Sequence, residues 1–468
     1  MRPHLAYVFE RFPSFTQTFC VREVAALERQ GVRPLIFSIR DPRDEVPRNF
    51  PSELYDRVHF LPPEKELVDW VKAEKAANRL PQFLVLSLRH WGTRPDKLRV
   101  YEAAYIGQKM REAGVHHAHS HFAGIGARVG WWLHHAFGFS YSFTGHANDI
   151  FCLENTLDVT LDHLMRDASL VITVSDFTAN DLRRRFPAAS RKIQRVYNGL
   201  DLARFARPVT HSHSHSQSQS QSHSHSQSQP APAPHQRTTP LILSVGRLIE
   251  KKGYPDLIHA CAQLKSRGIQ FQCDIAGEGP LETELRTLIT SLDVADCITL
   301  RGAVSQDEII HALHSTTVFA LACATEHDGG MDNLPTVLME AMAAGVPCVS
   351  TRLAGVPEMV EHGVTGFLVA ERDPHPLAEA LEKVLTDPAL AARMGAAGYE
   401  RAHRLFAQET TATHLLHYFA ARSLMQVDWP LLARHPSLIR ARARQIAWRL
   451  RRVARHGCRR PPQGPGMG

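Results

Sequence analysis

From residue 241 onward, short and mostly apolar runs alternate with segments of helical period, and this alternation constrains the fold more than any other feature. LILSVG (241–246), FQCDIAG (271–277), CITLRG (297–302), VFALAC (318–323) and VPCVST (346–351) read as strands buried on both faces. Between them YPDLIHACAQLKSRG, LETELRTLITSLD, SQDEIIHALHST and PTVLMEAMAAG repeat apolar residues at steps of three and four, as amphipathic helices do. After the last strand, LAGVPEMV reads as a loop and HGVTGFLV as a turn. The chain begins in the same style. LAYVF (5–9) and LIFSI (35–39) flank the helical TFCVREVAALERQG, which Gly31 closes, and LVITVS (170–175) precedes the helical FTANDLRRRF. The fold class is therefore α/β with doubly wound, parallel sheets, whose ligand crevices belong at the carboxyl ends of the strands.

The run PVTHSHSHSQSQSQSHSHSQSQPAPAPHQRTTP (208–240) cannot bury a core and separates the two α/β halves. It reads as a flexible linker that permits hinge closure. A histidine-rich metal tract is the other reading, and it lacks a scaffold to fix coordination geometry. The expected domains are 1–205, a linker 206–240, a second α/β domain 241–405, a terminal helix 406–424 and a basic tail 425–468.

At 468 residues the chain is too long for one core, and 44% hydrophobic with 22% charged residues suits a globular protein. No apolar run approaches the ~18 residues of a membrane span, and MRPHLAYVFERF lacks the apolar core of a signal peptide. A cytoplasmic location is expected. The eight cysteines include no C-x-x-C pair and read as reduced, buried hydrophobes. Residues 434–460 carry ten arginines and no acid, so removing them turns the formal charge of +7 into −3. The basicity belongs to the tail, which argues against a nucleic-acid-binding core and for contact between one end of the molecule and a polyanionic surface.

Chemistry collects at the strand ends of the second half. Arg247 and Lys252 follow the first strand and could neutralise a diphosphate, the guanidinium as a fork and the ammonium as a point charge. Gly277 and Gly279 would let backbone approach a ligand closely. In DNLPTVLMEAMAAGVP, Asn333 is a candidate cap and Pro335 a first helical residue, while Gly345 and Pro347 stop the helix. The open N–H groups of that helix start, around Leu334 and Thr336, favour an anion, and Asp332 and Glu340 flank it. Each group singly also fits a solvated charge or a plain turn; their occurrence at successive strand ends points to one ligand site. Gly124-x-Gly126 and Gly277-x-Gly279 do not continue as G-x-G-x-x-G, so a nicotinamide site is not supported.

The order GRLIEKKG (246–253), AGEGPLE (276–282), DNLPTVLMEAMAAGVPCVST (332–351), AGVPEMV (354–360) and HGVTGFLV (362–369) resembles the nucleotide-sugar domain of family 4 retaining glycosyltransferases. The resemblance covers nearly all of residues 1–424 outside the linker. It implies the GT-B architecture, two facing Rossmann-like domains joined by the flexible linker. It also implies that Arg247, Lys252, Asn333, Leu334 and Thr336 hold a donor diphosphate, that Glu340 meets the donor ribose, and that Asp332 meets hydroxyls of the transferred sugar. The family pattern pairs two glutamates, E-x7-E; here the first acid is an aspartate, one methylene shorter, which bears on the identity of the sugar.

RFPSFTQTFCVRE (11–23) resembles the acceptor-side opening loop of bacterial exopolysaccharide members, the colanic acid and amylovoran assembly enzymes among them, which implies that Ser14, Thr16 and Thr18 face the acceptor. The wording D-N-L-P-T-V-L-M-E is nearer to that subgroup than to the E-G-F-G form common elsewhere in the family. SFTGHANDIF (142–151) matches the active-site histidine segment and implies that His146 lies by the reacting anomeric carbon, with Asp149 as a polar neighbour. His119 and His121 stand at a strand end as tempting metal ligands. Two histidines without a third ligand are more often structural, so no metal is expected there.

The resemblance implies retention of configuration by same-face attack, a nucleotide-sugar donor as co-substrate, a lipid-linked or other saccharide acceptor, and no cofactor. No D-x-D bridge for a divalent ion is present. In the tail, Leu438, Ile439, Ile446, Trp448, Leu450 and Val453 are interleaved with arginines, which fits peripheral contact with anionic lipid at the inner face of the plasma membrane as well as a solvated basic segment. An epimerase or hydrolase on the same architecture, and a nucleotide-binding scaffold that has lost catalysis, are the alternative functions.

Overall fold

The computed structural model describes residues 4–14, 17–44, 50–90, 94, 96–151, 158–206, 239–422, 424–425 and 434–435. Nearly all of the expected linker and basic tail therefore lie outside the described residues. Two compact units make up the chain. Met1–Thr144, Asn155–Ile172 and Glu409–Gly468 form one, and Gly145–Glu154 with Thr173–Gln408 the other. The segment bearing His146 thus clusters with the half that carries Lys252 and Asp332.

The first sheet is built from β1 (Leu5–Arg11), β2 (Pro34–Arg40), β3 (Val58–Phe60), β4 (His117–His121), β5 (Ser140–Gly145), β6 (Leu170–Thr173) and β7 (Ile193–Arg195), in the order β3-β2-β1-β4-β5-β6-β7. The second contains β8 (Leu241–Val245), β9 (Gln272–Ala276), β10 (Ile298–Gly302), β11 (Val318–Leu321), β12 (Cys348–Thr351) and β13 (Gly366–Val369), in the order β10-β9-β8-β11-β12-β13. Its neighbouring strands are all parallel. In both sheets the order turns back beside the first strand, which is the dinucleotide-fold topology. β13 corrects the reading of HGVTGFLV as a turn. Its first residues do turn, and GFLV then pairs with β12 as an edge strand.

The second sheet shows why its central strands are mostly apolar; β10, at the sheet edge, exposes Thr299 and Arg301 and is not buried on both faces as read from the sequence. Ile242, Ile275, Val318 and Ala320 pack on one face with the helices Tyr254–Ser266 and Pro374–Thr386. Leu243, Val245, Phe319 and Leu321 pack on the other with Thr336–Ala343 and Pro388–Phe406. Alternate residues of each strand point to opposite faces, and both faces of the central strands are covered. Helix Thr336–Ala343 stops as read from the sequence. Gly345 takes φ 72° just beyond its cap residue Ala344, and a Cβ on Gly395 would lie 2.2 Å from the Gly345 carbonyl oxygen, so the helix Pro388–Phe406 closes on that end through bare backbone. The six cysteines among the described residues are free and buried, as expected. No helix of the described residues is long and apolar enough to cross a membrane.

Strand β4 reads HAHSH, and its period of two sets three histidines on one face. β5 runs beside it in the register His117 to Ser140, His119 to Ser142 and His121 to Thr144, so a row of hydroxyls meets the row of imidazoles. His117 places Nδ1 on Ser140 Oγ and Nε2 on Ser142 Oγ, each at 2.8 Å, with the Phe419 ring 5.8 Å away. Burial pushes its pKa down to about 3. The ring stays neutral in the fold, while in the unfolded chain it titrates near ~6.5. The His117 contribution is therefore complete above pH ~6.5 and is lost as pH falls, by about 1.4 kcal/mol per unit, because the unfolded chain takes up a proton that the fold refuses. Urea unfolding between pH 7 and pH 5 is expected to show a shallower pH slope in His117→Gln than in the unsubstituted protein; equal slopes would contradict this.

Candidate active site

The chain leaves β8 at Gly246 and is held there by the exit of β9. Gly246 N donates to Ala276 O at 3.0 Å, Leu248 N to Glu278 O at 2.8 Å, and Leu281 N to Leu248 O at 3.1 Å. A Cβ on Gly277 would lie 2.0 Å from Gly246 O, and one on Gly279 2.5 Å from Leu248 O. The close approach that these glycines were expected to give a ligand is made by the protein's own backbone. It lifts Arg247 into solvent, with no ion-pair partner among the described residues.

A turn of 3-10 helix, Glu250–Lys252, then leads through Gly253 into the helix Tyr254–Ser266. Lys252 Nζ meets Asp332 Oδ2 at 2.5 Å, with the side chains only 12% and 16% exposed. Burial alone would lower the Lys252 pKa, but the facing Asp332 outweighs it and holds the value above the ordinary lysine range. Tyr254 Oη donates to Gly246 O at 2.9 Å and braces the loop from below. Thus the cation read as a phosphate ligand and the acid read as a sugar ligand are partners of each other here.

Asn333 is not the helix cap. The cap is Pro335, with no side-chain cap bond, and the helix runs Thr336–Ala343. The Asn333 side chain is engaged elsewhere: its Oδ1 accepts from Ser175 Oγ and its Nδ2 donates to His146 O, both at 2.6 Å. Its carbonyl accepts from Gly355 N at 2.9 Å. The N–H groups of Thr336 and Val337 donate to no group among the described residues, so that helix start remains open to an acceptor. Glu340 lies on the buried part of the same helix.

His146 follows β5 in a turn organised by Asp149. That carboxylate accepts from His146 N at 3.1 and 3.2 Å and from Ala147 N at 2.8 Å. The polar neighbour expected beside His146 is thus the group that shapes its backbone. Two further residues escaped sequence reasoning. Ser175 caps the helix Asp176–Arg185 by accepting from Thr178 N at 3.1 Å. Glu358 accepts from Asp176 N and Phe177 N at 2.7 and 2.8 Å, sealing the same helix start. A serine before D-F-T is a readable cap signal. Glu358, 182 residues from its partner, carried none.

Residues 16–204 match the family described as Glycosyltransferase Family 4, and residues 226–401 that described as Glycosyl transferases group 1. This chain joins two glycosyltransferase domains. A protein named as a colanic acid biosynthesis glycosyltransferase, WcaL of Escherichia coli strain K12, is 39% identical over 220 residues, 47% of this chain and 48% of that protein. The amylovoran biosynthesis glycosyltransferase AmsK of Erwinia amylovora is 46% identical over 140 residues, 30% of this chain and 34% of that protein. The matches thus span about half or less of these relatives' own length. Among solved structures, Anabaena Alr3699/HepE in complex with UDP-glucose is similar with a TM-score of 0.63 at 17% identity, over 89% of this chain and 100% of that one. The fold is the GT-B fold, as expected from the sequence motifs.

In the first unit, Ser14 is buried and its carbonyl accepts from Gln17 N at 3.0 Å, while Thr18 opens the helix Thr18–Arg29. Thr16 lies outside the described residues. Glu23 of that helix joins His119 and His121, the three ligand-type atoms lying within 4.8 Å of one another. The premise that these histidines lack a third ligand is corrected: a helix distant in sequence supplies it. The groups are mutually engaged. His121 Nε2 is 3.1 Å from Glu23 Oε1, which also accepts from Tyr7 Oη at 2.6 Å, and His119 meets Ser142 Oγ at 2.7 Å and Thr144 Oγ1 at 3.1 Å. Burial works against a charge on His121, and the neighbouring Cys20 and Glu23 outweigh it, so its pKa lies well above the usual histidine range.

Proposed function

We propose that this chain is a retaining, metal-independent glycosyltransferase. It moves a sugar from a nucleoside-diphosphate donor to a lipid-linked saccharide acceptor in the assembly of a bacterial polysaccharide. The observation that carries the reading is the cluster at the switch point of the second sheet: exposed Arg247, the largely buried pair of Lys252 and Asp332, and the open N–H groups of Thr336 and Val337. Two fixed cations and a helix start at one strand-end crevice suit a diphosphate. The names of the relatives WcaL and AmsK support polysaccharide assembly, and the complex of HepE supports a nucleotide-sugar donor.

In this mechanism the bond from the anomeric carbon to the diphosphate oxygen breaks as the acceptor oxygen bonds to the same face of that carbon. Arg247, Lys252 and the helix start take up the charge growing on the leaving diphosphate. The acceptor proton passes to a donor phosphate oxygen, His146 orients the sugar, and Glu340 holds the ribose. Lysine and arginine supply the positive charge that a divalent ion would otherwise supply. The arginine-rich tail holds the protein at an anionic membrane surface, where a lipid-linked acceptor would be met. With a donor that is turned over, nucleotide release is expected to be unchanged by EDTA, and the product's anomeric coupling constant to match the donor's configuration. Loss of turnover on chelation that magnesium restores, or an inverted product, would overturn the reading.

A further inference from the structure

The turn that carries His146 is gripped on both sides. Its N–H is held by Asp149, whose carboxylate also binds Ala147 N, and its carbonyl is held by the Asn333 amide. Fixing the two peptide groups that flank one Cα fixes the direction in which its side chain leaves. Asn333 is 3% exposed, and its amide can face only one way, because a carbonyl oxygen only accepts. Nδ2 therefore points to His146 O, and Oδ1 receives the Ser175 hydroxyl proton. Ser175 Oγ also accepts from Thr178 N at the start of the helix Asp176–Arg185 and lies 3.1 Å from Thr178 Oγ1, so the shorter contact, to Asn333 at 2.6 Å, takes its proton.

Asn333 also adjoins Asp332, the partner of Lys252, and lies two residues before the cap of helix Thr336–Ala343. The amide thus ties the histidine turn to the segment that bears the acid and the anion-binding helix start.

We propose that Asn333, anchored by Ser175, is a positioning residue that sets His146 relative to Asp332 and the helix start. The inference rests on the proposed glycosyltransferase function for its kinetic consequence. The structural claim stands apart from that function.

The test uses the full chain. Turnover is read as nucleotide release with whichever of UDP-glucose, UDP-galactose, GDP-mannose and GDP-fucose the unsubstituted protein uses fastest with a membrane extract. Exchange of the backbone amides of residues 145–151 is read by mass spectrometry without any substrate. Asn333→Ala is expected to lower kcat by roughly ten- to a hundredfold, with the donor KM within about twofold, since a small misplacement of a reacting group has effects of that order. The same substitution should speed exchange at 145–151 and leave β8 unchanged. Ser175→Ala should share both effects, and Ser175→Thr, which keeps the hydroxyl, should restore them. A kcat unchanged in Asn333→Ala while His146→Ala abolishes turnover would overturn the proposal, as would unchanged exchange at 145–151. If the unsubstituted protein turns over no donor, the functional reading fails and the exchange result alone decides the positioning claim.

Discussion

Lys252→Ala is expected to lower donor turnover by at least about a hundredfold and to destabilise the second unit. The two effects have separate causes. Losing the ammonium removes a charge that would meet the leaving diphosphate, a loss of the kind that lowers kcat more than it raises KM. The stability effect comes from Asp332, which is 16% exposed and 2.5 Å from Lys252 Nζ. Truncating one member of a largely buried pair leaves the other charge without compensation, at about 3–5 kcal/mol. Asp332 holds the Lys252 pKa above its ordinary value although burial alone would lower it. The contribution of the lysine is therefore fully present at neutral pH and is lost only as pH rises above ~10.4 and through the folded-state pKa. The double variant Lys252→Ala/Asp332→Asn separates the causes. It should recover most of the stability, read by urea unfolding, and none of the turnover. Recovery of both would mean that Lys252 serves only to neutralise Asp332.

Gly253→Ala is expected to destabilise the same unit by about 2–5 kcal/mol. Gly253 has φ 63°, and an added Cβ would lie 1.7 Å from the carbonyl oxygen of Ala322. The left-handed conformation alone costs an alanine about 1–2 kcal/mol. The contact with a backbone oxygen after β11 forces a shift in a packed region, at about 1–3 kcal/mol more. Gly268→Ala is the control, because Gly268 has φ 76° and nothing within 4 Å of its Cβ position. It should show the conformational part only. Since Gly253 directly follows Lys252, Gly253→Ala should also weaken donor binding, and Gly268→Ala should not. Equal unfolding midpoints for the two variants would mean that the chain near Ala322 yields freely.

The elements that sequence reasoning reached are those whose signal is local. The five apolar runs after residue 241 lie on β8 to β12, and Gly345 with Pro347 marks the helix end, because periodicity and backbone conformation are written in neighbouring residues. β13 was hidden behind the glycines and threonine of HGVTGFLV, whose turn character holds for the first half of that segment only. The failures at the site are of another kind. Asn333 has the composition of a cap, but partners 158 and 187 residues away took its amide. Glu23 joined His121 across 98 residues. A tertiary contact can outbid a local propensity, and no pattern in a single chain announces which one will. Charged groups were easier to place than the hydrogen bonds that aim them. Arg247, Lys252 and Asp332 were legible as chemistry, whereas the pairing of the last two became visible only once β8 and β11 lay side by side.

The central claim is that the strand-end cluster of the second sheet binds the diphosphate of a sugar donor and releases it during transfer. The most direct test is a panel of radiolabelled UDP- and GDP-sugars, incubated with the purified protein and a membrane extract containing lipid-linked acceptors, with and without EDTA. The account predicts labelled glycolipid from one donor, equal amounts in both conditions, and none from Lys252→Ala. Nucleotide-sugar binding without label in any acceptor, or donor converted to free sugar or to its epimer, would contradict it.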